Sequence, residues 1–124
     1  MISLLLFTLC TCFLLVTSQT GNEKAKYEKF AELCDIYGYT WESHIAVTED
    51  GWELTLLRLT GLVNGKLDVE KKKIPILYQH DIFADAELEL NSSDVGEPWI
   101  FLLFNRGYDI WLANSRGTKY SDVN

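Results

Sequence analysis

Ser115 is the residue on which hydrolytic chemistry would turn. It stands in Ala113-Asn114-Ser115-Arg116-Gly117, after a short apolar run, and the string half-matches Gly-x-Ser-x-Gly. In that motif a serine on a sharp strand-to-helix turn attacks an ester carbonyl. A histidine held by an acid takes its proton, and backbone N–H groups hold the oxyanion. The usual chain order is serine, acid, histidine. The two histidines here, His44 and His80, both precede Ser115. Seven residues follow Gly117, and Ser121, Asp122 and Asn124 among them are poor helix formers. The pattern therefore assigns no catalytic residue. It predicts a packed, ordered loop over Asn114 to Ser121, in which Arg116 hydrogen-bonds backbone carbonyls and Gly117 permits a close turn.

The remaining reactive groups are few. Cys10 and Cys12 lie in the first twelve residues, and only Cys34 lies beyond them. No CxxC or Cys/His spacing suggests a metal, and no cofactor motif is present. Cys34 reads as a small buried apolar residue of a helix. Asn91-Ser92-Ser93 is an N-glycosylation acceptor in a polar stretch. The 124 residues carry 11 Lys+Arg against 18 Asp+Glu, a net charge of −7, which argues against a nucleic-acid partner. Apolar residues at 48% and charged residues at 23% exclude a disordered chain.

The elements that position these residues follow from hydrophobic spacing. Ile2 to Val16 is an uncharged apolar run, shorter than the ~20 residues that span a bilayer. It predicts a signal peptide cleaved after Ser18 (residues 1–18), leaving a single region over 19–124 without Cys10 and Cys12. Glu23 to Tyr37 has Tyr27, Phe30, Ala31 and Cys34 at helical spacing, and Gly38 is the stop. Ser43 to Thr48 and Trp52 to Leu59 read as a hairpin turning at Asp50-Gly51. Ile45 and Val47 share one face of it, as do Trp52, Leu54 and Leu56. Leu62 to Lys73 is a polar connection, with a solvated Lys71-Lys72-Lys73 run. Ile74 to Gln79 has the uninterrupted apolar character of a strand buried on both faces. Asp81 to Gly96 reads as a long polar loop. Glu97 to Arg106 reads as a well-packed helix with Pro98 in its first turn, and Asp109 to Ala113 as a further strand. Strand, loop, helix and strand make a βαβ unit with parallel strands and a right-handed crossover.

Three strings carry a resemblance. Tyr39-Thr40-Trp41-Glu42-Ser43-His44 leads into Val47-Thr48-Glu49-Asp50-Gly51-Trp52, with Arg58 ending the strand. Ile76-Leu77-Tyr78-Gln79-His80 follows. Gly107-Tyr108-Asp109-Ile110-Trp111-Leu112-Ala113-Asn114-Ser115-Arg116-Gly117 continues to Tyr120-Ser121. Together they resemble the amino-terminal lipase region of the acid lipases, the family of lysosomal acid and gastric lipases, over about residues 27 to 121. The resemblance implies an α/β fold: a truncated α/β-hydrolase amino-terminal part, an antiparallel hairpin plus one βαβ unit, about four strands. It implies esters of the triacylglycerol and steryl type as ligands. It places half of an oxyanion hole in the segment His80, Asp81, Ile82, with the backbone N–H of Ile82 as donor. Asp81 replaces the family's glycine there, which puts a negative charge beside a developing oxyanion and makes the segment vestigial. By itself, His80 reads as a strand-end histidine that hydrogen-bonds locally.

Three functions compete. The first is a lipase-like protein of lipid metabolism, secreted or lysosomal, that is inactive because its Ser-Asp-His triad is missing. The second is a secreted non-enzymatic module that binds a lipid or a protein through an exposed apolar sheet. The third is a small esterase using Ser115, which chain order disfavours. In the resembling fold a fifth strand pairs with Ile74 to Gln79, so without it that strand is a free edge suited to self-association. Mass spectrometry of the protein expressed in a secretory host is expected to find Gln19 at the amino terminus and a glycan on Asn91. Intact Met1 in a cytosolic fraction would refute the targeting.

Overall fold

The computed structural model describes residues 21–65, 73–91 and 96–123. The apolar leader with its cleavage point at Ser18, Cys10 and Cys12, Lys71 and Lys72, and Ser92 and Ser93 of the acceptor lie outside the described residues. Helix α1 (Gly21–Tyr37) is followed by strands β1 (Tyr39–Val47), β2 (Glu53–Leu62) and β3 (Ile74–Gln79). Two short helices, α2 (Ala86–Asn91) and α3 (Trp99–Asn105), then lead to β4 (Tyr108–Ala113). The strands form one mixed sheet in the order β1-β2-β4-β3. β1 and β2 are antiparallel, as are β2 and β4, whereas β3 and β4 are parallel. This is the four-stranded α/β arrangement that the resemblance implies: a hairpin and one βαβ unit.

Local chemistry sets the boundaries. α1 ends where Gly38 takes a φ of +77°, its N–H donating to the Asp35 carbonyl at 3.0 Å. The hairpin turns at Gly51, at a φ of +89°, whose N–H donates to the Thr48 carbonyl at 2.9 Å. A bulge between Thr40 and Trp41 shifts the register, so that Trp41 faces Leu59 and lies under α1. There Trp41 meets Phe30 edge-on, with ring centroids 5.2 Å apart.

One face of the sheet holds the core. Leu57 and Leu59 of β2 and Ile110 and Leu112 of β4 are buried together with Phe30 and Cys34 of α1 and Phe101 of α3. Tyr39 fastens α3 to the hairpin. Its ring stacks on Phe101 with centroids 4.0 Å apart, and its hydroxyl donates to Glu97 at 2.6 Å while accepting from Asn105 at 2.7 Å. Burial and the Glu97 carboxylate push the Tyr39 hydroxyl up to about 12.

The opposite face carries charge in its middle. Arg58 donates to Asp109 at 2.8 Å and to Glu42 at 2.9 Å, and its guanidinium lies 4.9 Å over the Trp111 ring. Hydrogen bonds from His44 and then Arg58 hold the Glu42 carboxyl below its ordinary value. Partial burial works to raise Asp109, but bonds from Arg58 and Trp111 outweigh it and leave that carboxyl lowered.

Two expectations need correction. Ile74 to Gln79 is not buried on both faces: Ile74 is 68% exposed and Leu77 is 63% exposed. β3 is the edge of the described sheet, so its apolar run has only β4 and the helix layer to pack on. The stretch 81–96 is not all loop, for it contains α2. Asp85 caps that helix, its carboxylate accepting from Glu87 N–H at 2.9 Å, while Ala86 and Leu90 sink one side of it into the core. The buried face of β2 runs through Thr55, Leu57 and Leu59, alternate to the Trp52, Leu54 and Leu56 set. The outward set is partly covered by its neighbours in the sheet and, at Trp52, by the Arg116 guanidinium.

Candidate functional site

Because β3 and β4 are parallel and pair Gln79 with Ala113, their carboxyl ends lie side by side. Crevices outside the carboxyl ends of strands are the common ligand sites of α/β sheets. Here the exits of β3 and β4, together with α2, line a cleft of about 830 Å³. His80, Asp81, Ile82 and Phe83 line one side, Leu88 and Asn91 of α2 another, and Ser115 to Thr118 a third. The cleft therefore gathers the implied oxyanion segment, Asn91 of the predicted glycosylation acceptor and the half-matched serine. Asp81, Asp85 and Glu87 face it, against the single guanidinium of Arg116.

His80 joins the two strand exits. Its Nε2 accepts the backbone N–H of Ser115 at 3.0 Å, and its Nδ1 lies 2.8 Å from the Asp81 carbonyl. An Nε2 that accepts carries no proton, so the proton is on Nδ1, which donates to Asp81. The ring is thus engaged with backbone on both sides. The Ser115 hydroxyl instead accepts from Gln79 Nε2 at 2.9 Å. After Ser115 the chain makes a turn rather than a helix: Thr118 N–H donates to the Ser115 carbonyl, and Gly117 has a φ of +82°.

The segment after His80 is a tight turn in which the Ala84 N–H donates to the Asp81 carbonyl at 3.1 Å. Phe83 adopts a φ of +63°, a conformation that costs a bulky residue ~1–3 kcal/mol. Asp81, where the resemblance implies a glycine, does not take a positive φ. Ile82 is 83% exposed and Phe83 is 100% exposed, so the segment offers apolar side chains and a nearby carboxylate at the mouth of the cleft.

Asn114 fixes the floor. It is buried; its Oδ1 accepts from Ala86 N–H at 3.0 Å, and its Nδ2 and backbone N–H both donate to the Thr55 carbonyl, at 3.2 Å and 3.1 Å. The Ser121 hydroxyl donates to the Asn114 carbonyl and accepts from Thr55 N–H at 2.9 Å. The Thr55 hydroxyl donates to the Tyr120 carbonyl. The loop over Asn114 to Ser121 is therefore packed and ordered. Arg116 corrects expectation, because it binds a side chain and not backbone carbonyls. It grips both carboxylate oxygens of Asp50 at the hairpin tip, one at 2.7 Å, and lies 5.6 Å over Trp52. The Arg116 bonds, aided by Thr48, pull the Asp50 carboxyl down to about 2.

Spacing alone did not reveal Gln79, Thr55, Phe83 or the Asp50 partner of Arg116. Only the Asp-Gly turn and the polar threonine inside an apolar strand hinted at two of them. Replacing Asn114 with alanine strands the buried Ala86 N–H, while the Thr55 carbonyl keeps the backbone donor. Asn114→Ala is expected to cost ~1–3 kcal/mol in urea denaturation. An unchanged midpoint would show that the network adds nothing.

Comparison with known proteins places this geometry. Residues 30–88 match the family described as a partial alpha/beta-hydrolase lipase region, a stretch running from α1 into α2. A probable lipase of Schizosaccharomyces pombe is 37% identical over 92 residues, 73% of this chain and 20% of the relative. A tear acid lipase-like protein of Mesocricetus auratus is 33% identical over 103 residues, 83% of this chain and 25% of the relative. The gastric triacylglycerol lipase of Rattus norvegicus is 31% identical over 105 residues, 84% of this chain and 26% of the relative. The chain thus spans about a fifth to a quarter of the length of these relatives. With its hairpin, its parallel β3–β4 pair and its His80 segment, the chain belongs to the acid lipase family, of which it carries the partial α/β-hydrolase lipase region.

Proposed function

We propose that the chain is the lipase region of an ester hydrolase of lipid metabolism, acting on triacylglycerol or steryl esters in a secreted or lysosomal setting. Its part is to build one wall of the ester site, with His80, Asp81 and Ile82 standing where the oxyanion is held and Asn91 carrying a glycan at the rim. On this reading the 124 residues alone do not turn over an ester. The observation that carries this is at Ser115. The hydroxyl accepts from Gln79, and the nearby imidazole nitrogen is committed to the backbone N–H of the same residue. A nucleophile needs a base within reach of its own hydroxyl, and among the described residues this one bonds Gln79 and no base. Asp81 at the cleft opposes a developing negative charge as well. Relatives named as triacylglycerol lipases in Rattus norvegicus and Arabidopsis thaliana support the substrate class.

A second reading, a binding module, draws on one feature. The uncovered sheet face holds a groove of about 530 Å³ lined by Ala46, Leu54, Leu56, Leu77 and Ala113. Apolar surface of this kind favours a lipid or protein partner.

Purified protein is expected to leave a short-chain nitrophenyl ester intact, and Ser115→Ala is expected to behave the same way. Turnover abolished by Ser115→Ala would overturn the reading. The Ile74–Gln79 edge has no charged side chain and exposes Ile74 and Leu77, so the chain is expected to self-associate through it. On size-exclusion chromatography, Leu77→Lys should move the protein toward the monomer. A clean monomer with a sharp thermal transition before any substitution would favour the binding module.

A further inference from the structure

We propose that His80 is a pH-sensitive latch between the two strand exits, closed by the neutral ring and opened by its protonation. The latch stands on hydrogen-bond polarity and is independent of whether the chain handles esters. In the closed state the ring has one possible proton arrangement. Ser115 N–H needs a lone pair and finds it on Nε2, and the Asp81 carbonyl needs a donor and finds it on Nδ1. Both contacts hold only for the neutral Nδ1–H tautomer. Adding a proton puts it on Nε2, where an N–H then points at the N–H of Ser115. The bond is lost and replaced by donor–donor repulsion.

The contact is placed where its loss has an effect. Asp81 O, held by the ring, also accepts from Ala84 N–H and closes the turn that keeps Phe83 at a φ of +63°. Such a conformation persists where the surroundings enforce it. Ser115, on the other side of the ring, opens the loop anchored at Asn114. Protonation therefore frees the β3 turn from the β4 loop at one point, while Asn114 keeps the base of that loop in place.

The charged groups facing the cleft are Asp81 and Asp85 of the turn, Glu87 of α2 and Arg116 of the β4 loop. Lys119 pairs with Glu87 and lies 3.9 Å from Asp85. The Asp85 carboxylate is also engaged by the Glu87 N–H and the Glu87 carboxylate by the Tyr120 hydroxyl, which leaves Asp81 as the carboxylate next to His80 in the chain. The backbone neighbours of the ring are neutral, with Gln79 bonded to the Ser115 hydroxyl.

Nitrogen-15 NMR of the labelled chain tests the tautomer directly, and amide exchange tests the latch. Near pH 8 His80 is expected in the Nδ1–H form. As acid protonates the ring, the protection of the Ser115 amide, corrected for intrinsic exchange, is expected to fall about tenfold. The Asn114 amide, which donates to Thr55, is expected to keep its protection. In His80→Gln a side-chain carbonyl can still accept from Ser115 but does not titrate, so the pH dependence should vanish. An Nε2–H tautomer at high pH would overturn the proposal, as would equal losses at Ser115 and Asn114 or an undiminished pH effect in His80→Gln. Should that variant not fold, the tautomer and the Ser115–Asn114 contrast decide the matter in the unaltered chain.

Discussion

The buried side chain of Asn114 is the constraint on which the cleft depends. A strand end in the core leaves backbone donors and acceptors that water cannot reach, and each must find a partner or cost stability. Asn114 meets this from one position, accepting from the first N–H of α2 and donating to β2 at Thr55. The Ser121 hydroxyl and the Tyr120 carbonyl complete the network from the returning chain, both bonded to Thr55. Among the described residues no buried side-chain polar atom lacks a partner. The polar residues at the base of the cleft are therefore structural, and they free the residues above them to face solvent.

The two faces of the sheet have different physics. One is a continuous apolar core of aromatic and branched side chains under three helices. The other carries an Arg58 cluster at its centre, with carboxylates on either side and Trp111 beneath the guanidinium. Charge-assisted pairs on a half-exposed face contribute little to stability, but they tie the strands together: Arg58 bonds Glu42 directly across on β1 and reaches diagonally to Asp109 on β4, over its register partner Trp111. The apolar groove at the carboxyl end of that face and the uncharged β3 edge meet at Leu77. Unpaired edge and uncovered apolar surface thus coincide, the combination that drives sheet-to-sheet association.

At the cleft, shape and charge point in different directions. Its mouth offers Ile82, Phe83 and Leu88 to an apolar chain, whereas its walls carry three carboxylates against one guanidinium. An apolar group suits the first feature, and a negative charge is opposed by the second. The parallel pairing of β3 with β4 accounts for the position of His80 beside the exit of β4. The local hydrogen bonds account for its employment on backbone instead of on the Ser115 hydroxyl.

Much of this was legible in the residues. The hairpin at Asp50-Gly51, the helix under Tyr27, Phe30 and Cys34, and the βαβ unit follow from periodicity and turn chemistry, which act over a few residues. The resemblance rests on short strings such as Gly107 to Gly117 and was equally local. What only the tertiary structure decided involves partners distant in the chain. α2 was hidden because two buried residues, Ala86 and Leu90, make too weak a period among acids. The exposure of β3 was hidden because an apolar run reads alike whether its neighbours are present or not. Arg116 could have met any carbonyl, and its choice of Asp50 depends on the hairpin tip folding back beside the β4 loop. His80 has a defined tautomer only because Ser115 N–H arrives at Nε2 from 35 residues away. A sequence specifies which groups can donate and accept, but which of them meet is settled by the packing that brings strand ends together.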